Sequence, residues 1–282
     1  MASIGQRNAL QVIREATPGY YLDGENLGEI LLPRRYIPEN TGPGDYVLVF
    51  VHRDSEDRLV ATTEIPIARV GEFASLKVVS VNPQVGAFLD WGLAKDLLLP
   101  IREQTHRVAV GEELVVYVFL DEQSGRIVAS SRLEAHLDLT KADYEEGQQV
   151  SLLIAGETAL GYKAIVENAH WGLLFKSDIG AALRIGETTS GYVRTIRPDG
   201  KLDLSLTQAG YGRVRSLTEQ ILEELGKNNG RLPVSDSSSP EEIRKRFNTS
   251  KKAFKQALGA LYRKRVIRLT SDGIELIETT KN

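Results

Sequence analysis

The sequence of 282 residues contains no cysteine, and that absence excludes several kinds of chemistry. The chain has no disulfide framework, no thiolate nucleophile and no cysteine ligand for a metal. It also has no apolar run approaching the roughly 20 residues that span a bilayer. Its first residues lack the apolar core of a signal peptide. We therefore expect a cytoplasmic protein with no membrane partner.

Catalytic signatures are absent as well. No HExxH, GxSxG or Walker A pattern occurs, and adjacent acids such as Glu112 and Glu113 point to different sides of a strand. The histidines are scattered along the chain, at His52, His106, His136 and His170. The sequence therefore predicts a protein that is not an enzyme and that has no metal site and no cofactor.

The chain contains three copies of one sequence repeat, with no Gly/Ser-rich linker between the copies. Each copy has a glycine–acidic pair, a β-rich strand, a polar turn, a basic residue and a second alternating strand. The glycines are Gly44, Gly111 and Gly186, which lie 67 and 75 residues apart. A repeat of this length sets the architecture, and three small β domains in series favour a binding protein over an enzyme.

Each unit also has three shorter β-rich segments before that glycine, so each offers about five strands. A glycine lies inside the second strand of each unit, where a small barrel must bend or let two backbones approach closely. Five short strands with a longer connection after the third describe an OB-type barrel. The sequence therefore predicts three such barrels, over residues 1–65, 66–137 and 138–209.

After about Gly210 the apolar period changes from two to 3.6 residues. The pattern predicts a helix ending near Gly226, a short strand at 231–234, a helix from Pro240 to Phe247, a third helix opened by 248–250 and a hairpin with a turn at 271–273. This order is that of an α/β winged helix-turn-helix over residues 210–282. The predicted fold class is thus multidomain and mainly β, with the winged helix following three barrels.

The net charge of −3 hides an asymmetry between body and tail. Residues 210–282 contain fifteen Lys/Arg against nine Asp/Glu, a net of +6, which leaves −9 for residues 1–209. An acidic body with a basic C-terminal module indicates that a polyanion is contacted at least partly through the tail.

In the barrels, single-stranded nucleic acid would stack on aromatic rings of the second and third strands, with cations nearby for phosphates. The predicted binding residues are Phe88, Trp91 and Arg126 in barrel 2, and Tyr162, Lys163, Trp171, Phe175, Lys176 and Lys201 in barrel 3. The alternative is that the rings fill the barrel cores. For Phe88 the sequence does not separate the two, whereas Trp91 and Trp171, each followed by glycine, are expected near the surface.

In the tail, cations follow one face of the third helix and continue toward the hairpin. They are Lys251, Lys252, Lys255, Arg263, Lys264 and Arg265. In a helix-turn-helix this face enters the major groove or follows phosphates. The alternative is an ordinary solvated helical face.

Several stretches resemble a known family. Residues 86–89, 111–116 and 126–130 are similar to the second, fourth and fifth strands of S1 domains. Three such units with a C-terminal winged helix resemble the bacterial conserved virulence factor B family, most closely at residues 86–100 and 250–255. The resemblance implies a non-enzymatic RNA-binding regulator of gene expression that acts through both its S1 units and its winged helix.

The first hypothesis is therefore binding of single-stranded RNA, with stacking in barrel 3 and phosphate contacts in the winged helix. A second is regulation through duplex DNA, read by the third helix, with barrels 1 and 2 as docking modules for protein partners. A third is a ribonuclease, because S1 units also occur in such enzymes.

Overall fold

The fold is given by a computed structural model. It describes the chain except for residues 139, 141–142, 177–178, 180–181, 208–210, 248, 271–272 and 278–282, and it describes only the backbone of 211–216. The described residues form two compact units. The first contains barrels 1 and 2 with residues 161–166 and 170–175 of barrel 3, and the second contains residues 144–150 and 191–197 with the C-terminal helical domain.

Fifteen strands form three closed five-stranded barrels that share one strand order. Barrel 1 consists of β1 (Arg7–Ala16), β2 (Gly19–Asp23), β3 (Glu29–Pro33), β4 (Tyr46–Arg53) and β5 (Leu59–Thr62). Barrel 2 consists of β6 (Phe73–Asn82), β7 (Gly86–Asp90), β8 (Leu97–Pro100), β9 (Glu113–Asp121) and β10 (Arg126–Ser130). Barrel 3 consists of β11 (Gln149–Glu157), β12 (Gly161–Val166), β13 (His170–Phe175), β14 (Thr188–Ile196) and β15 (Leu202–Ser205).

In each barrel the third strand lies beside the fifth, as in the order β1-β2-β3-β5-β4. The pairing of third and fifth strands is parallel, as Leu31 with Val60 and Leu98 with Val128 show in barrels 1 and 2. Short 3-10 helices span Glu25–Leu27, Arg34–Tyr36, Ile101–Glu103 and Leu133–Ala135. The fold class predicted from the repeat is confirmed.

The glycine of each second strand is required by a close backbone approach. A Cβ at Gly86 would lie 2.2 Å from the carbonyl oxygen of Leu99, and one at Gly161 would lie 1.9 Å from that of Leu174. No side chain fits at such a distance, so only glycine lets the second and third strands come together at this point. The prediction made from the position of these glycines is confirmed.

Barrels 1 and 2 are joined by an apolar contact and by hydrogen bonds. The ring of Phe50 packs edge-on against Trp91, with centroids 5.7 Å apart. Arg53 donates from Nε to the carbonyl oxygen of Gly125 at 3.0 Å. These contacts continue the core of barrel 2 into barrel 1.

Barrel 2 contacts strands of barrel 3 in a similar way. Phe73 and Leu133 share a buried cluster with Ile165. Asn168 closes the same junction, because its Oδ1 accepts from the Phe73 amide at 2.7 Å and its Nδ2 donates to the Gly71 carbonyl at 2.8 Å.

The C-terminal unit contains three helices and a small sheet. They are α1 (Tyr211–Lys227), β16 (Arg231–Leu232), α2 (Pro240–Phe247), α3 (Lys251–Arg263), β17 (Ile267–Thr270) and β18 (Gly273–Leu276), with sheet order β16-β18-β17. Helix α3 begins at a hydrogen bond from the Ala253 amide to Ser250 Oγ at 3.2 Å, which satisfies one of the free amides of the first turn. Its apolar stripe of Phe254, Ala257, Leu258 and Leu261 is buried in the core of this unit.

The winged helix-turn-helix is therefore present, with one correction. The strand expected over residues 231–234 covers only Arg231–Leu232, because Pro233 has no amide hydrogen to continue the ladder. Asn248, the turn residues 271–272 and the boundary at 209–210 lie outside the described residues, and the exact domain limits stay predictions. Among the described residues, no helix is both long and apolar enough to cross a membrane.

Candidate nucleic-acid interface

The outer face of the second and third strands presents one equivalent side-chain pair in every barrel. Tyr21 lies opposite Leu31 in barrel 1, Phe88 lies opposite Leu98 in barrel 2, and Lys163 lies opposite Leu173 in barrel 3. Each of these side chains is half-buried, whereas their sequence neighbours point into the barrel. This position is where an OB-type barrel stacks a base.

In barrel 2 the structure separates the two predicted rings. Phe88 lies on the outer face, beside a depression of about 150 Å³ that is also lined by Lys95 and Arg126. Trp91 is only 3% exposed, so the expectation that it lies near the surface is wrong. Strand β7 ends at Asp90, and the indole that follows turns onto Phe50, with its Nε1 donating to the Lys95 carbonyl at 2.6 Å. Its faces are covered, so the ring cannot stack a base.

The cations around Phe88 are engaged in the junction with barrel 1. Arg126 forms a two-point ion pair with Asp57, whose Oδ1 accepts from Nε at 2.9 Å. That hydrogen bond lowers the pKa of the Asp57 carboxyl below its ordinary value. Lys95 donates to the carbonyl oxygens of Arg53 and Asp54, at 3.2 and 2.7 Å, and burial lowers the pKa of its amine.

In barrel 3 the predicted residues divide between the two faces of the sheet. Tyr162 is 7% exposed and pairs with the buried Leu174, so it points into the barrel and offers no stacking surface. The prediction placed it together with Lys163 and Phe175, but adjacent residues of a strand point to opposite sides. Phe175 and Lys163 share the outer face, and both are half-buried.

One end of the outer face of barrel 3 is covered by the junction with barrel 2. Trp171 is half-buried and packs against the cluster that contains Phe73 and Ile165. The Lys163 amine lies 4.5 Å from the centroid of the Trp171 ring and 3.0 Å from Glu134 Oε1. The other end of this face carries Phe175, which is half-buried.

The two remaining basic residues predicted in barrel 3 are exposed and paired with acids. Lys176 lies 2.6 Å from Glu157, and Lys201 lies 3.2 Å from Asp199. Ion pairs this exposed hold their partners weakly, so both amines can exchange a carboxylate for a phosphate.

In barrel 1 an arginine that was not predicted from the sequence stacks on Tyr21. The Arg14 guanidinium lies 3.8 Å from the centroid of the Tyr21 ring and donates to Glu29 at 2.6 Å. Arg14 comes from the first strand, just after an irregularity in its pairing with β2. The contact follows from the strand register, which pairs Arg14 directly with Tyr21.

A second omission is a group of three rings on barrel 2. Tyr117 and Phe119 lie side by side on β9, and the imidazole of His136 stacks on Tyr117 at 4.4 Å and contacts Phe119 at 5.1 Å. Burial lowers the pKa of His136. The group adjoins the junction with barrel 3, where Tyr117 also packs on Phe73 at 4.7 Å.

On α3 the predicted lysines lie on the exposed side of the helix. Lys252 and Lys255 are exposed, and Lys251 is half-buried with its amine 3.4 Å from the Ser237 carbonyl. Lys255 lies 3.6 Å from Asp236. Lys252 has no partner among the residues that the structure describes.

The cations at the end of α3 are also exposed. Arg263 donates from Nε to the Gly259 carbonyl at 3.2 Å, one turn earlier. Arg265 follows the helix in a left-handed conformation, with φ of 56°. Within the described part of the chain, Arg263, Lys264 and Arg265 have no carboxylate partner. By contrast, the four cations predicted in the barrels, Arg126, Lys163, Lys176 and Lys201, all have one.

Comparison with known proteins agrees with this architecture. The S1 domain family matches residues 4–64 and 70–132, and the CvfB-like winged helix domain family matches residues 219–276. Tandem S1 barrels followed by a winged helix define the class of the protein.

Relatives extend over nearly the whole chain. "Uncharacterized protein YitL" of Bacillus subtilis is 31% identical over 265 residues, which cover 91% of this chain and 88% of that protein. "Conserved virulence factor B" of Staphylococcus saprophyticus is 27% identical, over 98% of this chain and 95% of its own. The chain belongs to the conserved virulence factor B family. A solved structure from Streptococcus pneumoniae, described as a multidomain protein with nucleic acid binding domains, is 24% identical, with a TM-score of 0.42 and coverage of 97% of this chain and 98% of that chain.

Proposed function

We propose that this protein is a non-enzymatic regulator of gene expression that binds single-stranded RNA. Helix α3 and the residues just after it contact the phosphates, and the outer face of barrel 3 stacks a base on Phe175. The observation that carries the proposal is the distribution of unpaired positive charge. The cations predicted in the barrels are neutralised by carboxylates, whereas Lys252, Arg263, Lys264 and Arg265 are not, among the described residues.

Unpaired cations attract a polyanion at lower cost, because no ion pair has to break first. Each phosphate contact also releases condensed counterions, which gives an affinity that falls with salt. The net charge of +6 in residues 210–282, beside −9 in the rest of the chain, directs a nucleic acid to the C-terminal unit.

The barrels supply aromatic rings for stacking. Base–aromatic stacking contributes about 1–3 kcal/mol per base and tolerates any sequence. Phe175 in barrel 3 and Phe88 in barrel 2 occupy outer positions suited to this contact. The exposed amines of Lys176 and Lys201 can exchange their acids for phosphates. A single strand exposes its bases for such contacts, whereas a duplex does not.

The alternative is a regulator that binds duplex DNA through α3, with barrels 1 and 2 as docking modules for protein partners. The specific observation in its favour is that α3 carries its exposed cations along one face, as a recognition helix does. The two proposals differ in what Phe175 does, since a duplex leaves that ring without a ligand.

Crosslinking to a 4-thiouridine-labelled RNA, followed by mass spectrometry of the linked peptides, tests the proposal. We expect linked peptides from the C-terminal end of β13 and from α3. Linked peptides confined to other regions would overturn the assignment, and efficient competition by duplex DNA at every site would favour the alternative.

A further inference from the structure

The glycine at position 259 of α3 is not required by any contact or backbone angle in the described part of the chain. Gly259 lies in the interior of the helix, where glycine is less stable than alanine because it loses more backbone freedom on folding. A Cβ at this position would meet no heavy atom within 4 Å in the described part of the chain. The φ angle of Gly259 is also outside the left-handed range, so neither packing nor backbone conformation demands a glycine.

Gly259 is half-buried and lies on the side of the helix away from its buried stripe. The buried stripe is formed by Phe254, Ala257, Leu258 and Leu261. Residues three, four and seven positions apart share a face, so Gly259 adjoins Lys252, Lys255, Tyr262 and Arg263. All four of these neighbours are exposed.

The four neighbouring side chains determine which kind of ligand can bind in the gap that the missing Cβ of Gly259 leaves. Lys252, Lys255 and Arg263 surround it with positive charge. The guanidinium of Arg263 is held beside the gap by its 3.2 Å hydrogen bond to the Gly259 carbonyl. The Tyr262 ring is 55% exposed and offers an apolar surface on the opposite side, suited to a sugar or a base.

We infer that Gly259 leaves room for the sugar–phosphate backbone of a nucleic acid to approach the main chain of α3. Phosphates lie against Lys252, Lys255 and Arg263, and a sugar or base lies against Tyr262. Glycine is the residue that permits close approach of a backbone to a ligand, and here it is kept at the expense of helix stability. The inference rests on the proposed function, since it requires that α3 binds nucleic acid.

The test uses Gly259→Ala and Gly259→Gln in the full-length protein, with Gly226→Ala as the matched control. Gly226 is also helical and free of neighbours around an added Cβ, but it lies in α1, away from the cations of α3. The probe is a fluorescein-labelled mixed-sequence RNA of about 20 nucleotides, longer than the site size of about 4–16 nucleotides per barrel.

We expect Gly259→Ala to unfold at the same or a higher urea concentration than the wild type, yet to bind the RNA about tenfold more weakly, equivalent to about 1.4 kcal/mol. Gly259→Gln should bind more weakly still. Gly226→Ala should retain wild-type affinity. Wild-type affinity in both Gly259 variants would overturn the inference.

The proposed function is tested separately by Lys252→Gln with Lys255→Gln. If the double lysine variant loses affinity and the Gly259 variants do not, the result supports phosphate binding by α3. The same result rejects the close approach of the nucleic-acid backbone at Gly259. If the double lysine variant also binds as the wild type does, the role of α3 in the proposed function is rejected as well.

Discussion

Arg126 of barrel 2 forms a two-point ion pair with Asp57 of barrel 1, in which Nε donates to Oδ1 at 2.9 Å and Nη2 donates to Oδ2. The two residues are 69 positions apart in the sequence. Together with the contact of Phe50 on Trp91, the pair fixes one barrel against the other. Arg126, which the sequence predicts as a nucleic-acid-binding residue, thus also connects two domains.

The ion pair between Arg126 and Asp57 predicts that the effects of the two substitutions on the free energy of unfolding are coupled. Arg126→Gln and Asp57→Asn should each lower the free energy of unfolding, and the double variant should lose no more than either single one. Because the pair is exposed, the effect should shrink as salt is added. Urea unfolding of the four proteins at two salt concentrations measures it. Additive losses would show that the two side chains do not interact in solution.

Lys252 of α3, which has no partner among the described residues, predicts the salt dependence of RNA binding. Removing one phosphate contact reduces the slope of log K against log salt by about 0.7 for a single strand. Lys252→Gln should therefore weaken binding and flatten this slope. The control is Lys77→Gln, an exposed lysine of β6, which should change neither. An unchanged slope in Lys252→Gln would place the phosphate contacts elsewhere.

Two aromatic residues of barrel 3, Tyr162 and Phe175, should separate stability from binding. Tyr162 is buried, so Tyr162→Ala should lower the free energy of unfolding by about 3 kcal/mol and leave the affinity of the folded protein unchanged. Phe175→Ala should weaken RNA binding by about 1–3 kcal/mol through a lost stacking contact. Denaturation and RNA titration of both variants decide the matter, and a reversed pattern would refute the assignment of faces.

Two half-buried imidazoles predict a loss of stability in mild acid. Burial lowers the pKa of His52 and of His136, so below the ordinary value of about 6.5 the unfolded chain binds protons first. The free energy of unfolding should therefore fall between about pH 7.5 and 5.5. Carboxylates with lowered pKa values titrate below this window. His52→Gln with His136→Gln should flatten the dependence, and a wild type that is equally stable at both pH values would contradict the prediction.

The architecture follows from the sequence because its causes are local and repeated. Glycine at the second strand, alternation along each strand and the change to a 3.6-residue period each leave a pattern within a few residues. Gly86 and Gly161 illustrate this, since the close strand approach that requires them recurs at the same place in each unit.

The site was less predictable because its decisive contacts join residues far apart in the chain. Alternation from Phe88 places Leu89 inside the barrel but says nothing of Trp91, which lies past the end of β7 and is buried by Phe50 of another barrel. The pairing of Lys163 with Glu134 likewise depends on how two barrels dock. Tyr162 is different, since alternation from Lys163 assigns it to the interior once the strand register is known.

The measurement that tests the central claim most directly is fluorescence anisotropy of the full-length protein with a labelled single-stranded RNA and with a duplex DNA of the same length, each across a salt series. The account predicts tighter binding to RNA, with a modest salt slope that reflects stacking together with a few phosphate contacts. Tighter binding to the duplex, with a steep salt slope, would contradict it and assign the function to the winged helix alone.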